Sequence, residues 1–123
     1  MGREIVAGIY SVILGVAGVM HLAWPELFLR AMPDYVPWHA ELVWGTGVLE
    51  LAGGAGLWIP GMRRYAARAL ALYFVAITQA HVHVIMNRVS MFGISDPRLL
   101  GMRLLLQFPL IYGAWWLGKG ERR

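Results

Sequence analysis

The sequence contains no cysteine. That excludes disulfides, thiol redox chemistry and thiolate metal ligands. Charge is also scarce. Asp, Glu, Lys and Arg make up 15% of the 123 residues, where ordinary soluble domains carry about 25%. A soluble chain this short has a large surface to cover with polar groups. A soluble enzyme domain does not fit, and there is no room for a second folded domain. What is present is apolar: hydrophobic residues reach 59%, with 15 Gly and 6 Trp. The mean hydropathy is +0.56. The length holds about four membrane spans of roughly 20 residues each. Residues 1–123 therefore read as a single membrane domain. The net charge of +4 sits mostly beside apolar runs, so it reads as a topology signal and not as a nucleic-acid contact.

The spacing of breakers and apolar runs predicts spans at 5–24, 39–60, 65–87 and 99–118. The first run, from Ile5, has no charge until His21, and no small-residue cleavage site follows it, so it reads as a retained span. Pro25, Pro33 and Pro37 break the first loop, with a short amphipathic turn expected around Glu26–Met32. Pro60-Gly61 ends the second span, and Pro109 predicts a kink in the fourth. Gly8, Ser11, Gly15 and Gly18, with Gly47, Gly53 and Gly54, are small enough for close helix contact. Short connections imply an all-α membrane protein, an antiparallel four-transmembrane-helix bundle. Arg3, Arg63, Arg64, Arg68, Lys119, Arg122 and Arg123 outnumber Arg30, Arg88, Arg98 and Arg103. The positive-inside rule then puts both termini in the cytoplasm, in the cytoplasmic membrane of a bacterium or archaeon.

With that topology the polar residues collect at the outer end. Glu50 is the deepest acid, about 16 Å below His39 at the helical rise. An ionisable group at that depth is a functional candidate by default. Glu50, Gln79, His83, Arg103 and Gln107 form the candidate ligand-binding or proton-relay set. Arg103 and Gln107 share a helix face, and Arg103 has Glu41 or Glu50 as a partner, its depth matching Glu41 better. Thr46 and Gln79 are expected to extend a polar track from Glu50. The alternative is a metal-binding or metal/proton transport protein with an outer-face site of His21, His39, Glu41 and His83, whose three imidazoles and a carboxylate suit a transition metal. His81 and His83 lie about 200° apart on a helix and cannot both chelate one ion. The remaining readings are helix–helix hydrogen bonds that set register, or capture of the polar head of a quinone or lipid with its tail between helices.

The stretch GTGVLELAGGAGLWIPGMRRYAARAL, residues 45–70, resembles the DoxX-like family of small four-span membrane proteins. Gly47, Glu50, Gly53, Gly54, Gly56, Leu57, Pro60, Arg63 and Arg64 carry the likeness, along with His21 and Pro25 after the first span. The resemblance implies a quinone-linked or redox-accessory role, since some family members are small subunits of quinone-reducing thiosulfate oxidoreductases. Without cysteine, electron chemistry would need a bound cofactor or a partner subunit. The chain thus reads as a binding or accessory subunit more than a complete enzyme. Membrane lipid, a redox partner and a second copy are the partners in view.

Overall fold

The computed structural model describes residues 2–87, 89–90, 93–94 and 96–119. Arg88, Arg122 and Arg123, used above in the charge count, lie outside the described residues. Among the described residues the fold is all-α, with five helices. These are α1 (Gly2–Ala23), α2 (Glu26–Leu29), α3 (His39–Trp58), α4 (Arg63–Met86) and α5 (Pro97–Gly118). α1 and α4 are long and apolar enough to cross a membrane. α3 and α5 are 20 and 22 residues long. Glycines and two glutamates dilute α3, while Arg98, Arg103, Gln107 and two prolines dilute α5.

The helix ends follow local chemistry. Asp96 caps α5 by accepting the Arg98 backbone N–H at 2.9 Å, and Pro97 follows at the first helical position, where its missing N–H costs nothing. α2 covers Glu26–Leu29, and backbone bonds from Ala31 to Phe28 and from Met32 to Leu29 carry the expected turn on to Met32. Trp38 precedes α3 with a left-handed backbone, φ 54°. α5 runs unbroken through Pro109. The Tyr10 hydroxyl donates to the Leu110 carbonyl there at 2.7 Å.

Glycines set the helix approaches. A Cβ on Gly47 would lie 2.8 Å from His21 Cβ and 3.1 Å from the Gly18 carbonyl oxygen. A Cβ on Gly18 would meet the Gly47 carbonyl at 2.9 Å. So α1 and α3 cross backbone to backbone, in the manner of small-residue helix pairs. Ser11 donates to the Gly54 carbonyl lower on the same seam. Together these contacts make α1 and α3 antiparallel. Gly53 against Leu70 and Gly56 against Ala66 set α3 antiparallel to α4. Gln107 on Phe74, with Gly118 on Arg68, does the same for α4 and α5. The core contains Ala7, Tyr10, Leu14, Leu57, Leu70, Phe74 and Leu117. The outward faces are also apolar: Ile9, Val12, Val16, Leu72, Leu105 and Phe108 are all exposed.

Candidate functional site

The α1–α3 crossing decides what His21 meets. His21 follows Gly18 by one turn of α1, and Glu50 follows Gly47 by one turn of α3. The helices are antiparallel, so the two residues start one turn to either side of the glycine contact. Helical side chains lean back toward their own N-termini, and the two converge there, with His21 Nδ1 3.0 Å from Glu50 Oε1. Nδ1 also lies 2.7 Å from the Ala17 carbonyl. A carbonyl only accepts, so Nδ1 carries a proton and directs it at Ala17. The contact with Glu50 is therefore electrostatic and poorly aligned. Glu50 is only 5% exposed, and its Oε1 is buried without a directed hydrogen bond.

The other helices add donors. The Tyr73 hydroxyl, from α4, has the Glu50 carboxyl and the Thr46 side chain as hydrogen-bonding neighbours. Thr46 itself donates to the Val43 carbonyl at 2.8 Å. Arg103, from α5, acts electrostatically on Glu50 and Tyr73 and on His81 of α4. Arg103 donates to Gln107 Oε1 at 2.9 Å. Gln107, fully buried, donates through Nε2 to the Phe74 carbonyl at 2.8 Å. That amide spends both ends holding α5 to α4 and fixing Arg103. Phe28 of α2 stacks on the His21 ring, centroids 3.6 Å apart, and closes the cluster on that side.

The structure thus brings Glu50, Arg103 and Gln107 together and adds His21, Thr46, Tyr73 and His81. It places Gln79 and His83 elsewhere. Gln79 accepts from the Tyr35 hydroxyl at 2.9 Å, and His83 Nδ1 lies 3.0 Å from Asn87 Nδ2. Both line a shallow groove of about 440 Å³ along α4, beneath Tyr35. The expected track from Glu50 through Thr46 therefore continues to Tyr73 and not to Gln79. Arg103 acts electrostatically on Glu50 while donating to Gln107, and Glu41 is exposed at the start of α3. His39 folds back on its loop, with Nε2 3.1 Å from the Pro33 carbonyl. His21, His39, Glu41 and His83 remain apart. Among the described residues no three His, Asp or Glu side chains gather as a metal set.

Sequence reasoning missed the direct His21–Glu50 contact and the part of Tyr73. Signals for both were there. Glycine stands three residues before His21 and three before Glu50, and Tyr73 is a hydroxyl in an apolar run that needs a partner when buried.

Fold and site together define an all-helical protein with two membrane-length apolar helices and a polar cluster drawn from four of its helices. The chain belongs to the family described as domain of unknown function DUF8561, which matches residues 10–118. The matched stretch includes every member of the cluster. No curated protein and no solved structure matches the chain.

Proposed function

We propose that this is a small multi-pass membrane protein whose buried cluster binds the polar head of a hydrophobic ligand. In this reading α3 and α5 cross the bilayer beside α1 and α4, forming a four-span antiparallel bundle with both termini in the cytoplasm. The apolar outward faces of the long helices support it, since a soluble bundle would carry polar groups there. One observation carries the ligand reading. Glu50 Oε1 is an acceptor enclosed among helices with no aligned donor, and a buried carboxylate left unsatisfied is costly. A hydroxyl on a ligand head would supply the donor.

Of the hydrophobic ligands with such a head, quinones fit the residue set best. A quinol hydroxyl can donate to Glu50. A quinone carbonyl can accept from Tyr73 or Arg103, both of which are donors. The resemblance of residues 45–70 to DoxX-like proteins supports the same class, as a binding or accessory subunit beside a membrane redox partner. A lipid hydroxyl satisfies Glu50 equally well and is the second reading.

Gentle detergent extraction followed by native mass spectrometry and organic extraction tests this. The wild type should co-purify with a quinone-sized or lipid mass. Glu50→Gln keeps the shape of the side chain, so helicity should persist while ligand retention falls at least tenfold. Undiminished retention in that variant would remove Glu50 from the site. A ligand-free wild type would overturn the binding reading.

A further inference from the structure

A second polar concentration lies at the opposite end, where α1 and α4 begin and α3 and α5 finish. It contains Arg3, Arg63, Arg64, Arg68 and Lys119. Among the described residues the only acidic side chain there is Glu4, which acts on Arg63. Three of the cations are fixed by helix carbonyls. Arg3 Nη1 donates to the Trp116 carbonyl at 3.0 Å. Arg68 Nε donates to Gly118 at 2.9 Å. Arg63 Nε donates to Leu57 at 2.7 Å. Carbonyls at helix C-termini are unsatisfied and carry partial negative charge. The arginines cover those negative poles while keeping their own charge, because a carbonyl neutralises nothing.

Arg64 and Lys119 are left with aromatic neighbours. Arg64 Nη2 donates to the Tyr65 hydroxyl at 3.1 Å, and Lys119 Nζ lies 4.0 Å from the Trp115 ring centroid. Their backbones adjoin: the Arg64 carbonyl oxygen is 3.7 Å from where a Cβ on Gly118 would sit. That Cβ would also lie 2.8 Å from Arg68 Cγ, so glycine at 118 is what lets the two helix ends meet. We propose that this corner binds the phosphate of an anionic phospholipid headgroup, with Arg64, Lys119 and the terminal nitrogens of the exposed Arg68 as its ligands. The charge is complementary, and a guanidinium offers paired donors to phosphate oxygens. Trp115, Trp116 and Tyr65 set the corner at headgroup depth, where such rings concentrate in membrane proteins. The proposal rests on the membrane reading above.

The test uses the full chain in bilayer nanodiscs of mixed phosphatidylglycerol and phosphatidylcholine, with retained lipids identified by native mass spectrometry. The wild type should release enriched in phosphatidylglycerol. An Arg64→Gln/Lys119→Gln double variant should lose that enrichment, by about 30-fold for two cations near an anionic surface, with unchanged helicity. An Arg30→Gln/Arg98→Gln variant removes the same charge from the other end and should keep it. Intact enrichment in the first variant, or equal loss in both, overturns the proposal. A wild type that inserts but retains the two lipids alike overturns this inference alone. A wild type that inserts into no bilayer overturns the membrane reading with it.

Discussion

Trp38 shows how much a single position can cost. A bulky residue in the left-handed region carries about 1–2 kcal/mol of strain, yet Trp38 is held there, 71% exposed, immediately before α3. Glycine adopts that backbone without penalty. Trp38→Gly should therefore stabilise the protein in mild detergent by about 1 kcal/mol, read from its unfolding midpoint. A lower midpoint would show that the indole, anchored at an interface, contributes more than the strain removes. Glu50 could be singled out from the sequence because an acid inside an apolar run has few bland explanations. Its partner could not. His21 differs from His39 and His83 only in where its helix lies.

Elements are placed here by glycines of unequal consequence. Gly15 and Gly47 look alike in sequence, each a small residue inside an apolar run. A Cβ on Gly15 would meet nothing within 4 Å, whereas one on Gly47 would meet backbone and the His21 stem. Gly15→Ala should stabilise α1 by up to about 1 kcal/mol through helix propensity. Gly47→Ala should destabilise the fold by about 1–3 kcal/mol through overpacking, and should separate His21 from Glu50. Thermal unfolding of the two variants in the same detergent checks both, and equal effects would refute the backbone crossing. The breakers placed the long helices to within a few residues of their observed ends. The short turn expected around Glu26–Met32 is also there, as the helix Glu26–Leu29 followed by turn bonds to Met32, and Phe28 within it stacks on His21.

For the whole molecule, the absent cysteine becomes useful. Single cysteines introduced at Gly2, Gly61, Asp34 and Ser90 meet no background thiol. In intact cells a membrane-impermeant maleimide should label Asp34→Cys and Ser90→Cys and spare Gly2→Cys and Gly61→Cys. The reverse pattern would invert the topology, and uniform labelling would refute the four-span arrangement. At this scale the two ends of the molecule differ in kind. One encloses a carboxylate among polar side chains from four helices, and the other displays cations fixed on helix carbonyls.

By itself the sequence determined the helical class, the approximate bounds of the long helices and the set of polar residues that needed explaining. Hydropathy, proline and glycine act along the chain, and those properties are local. Only the tertiary structure decided which polar residues belong together. It divided the candidates into Glu50, Arg103 and Gln107 inside, and Gln79 and His83 on an outer groove. It also brought His21 and Tyr73 into contact with the acid. The physical reason is rotation. Which face a helix turns inward depends on where a neighbour's glycines let it approach, and residues on different helices carry no record of that in their spacing.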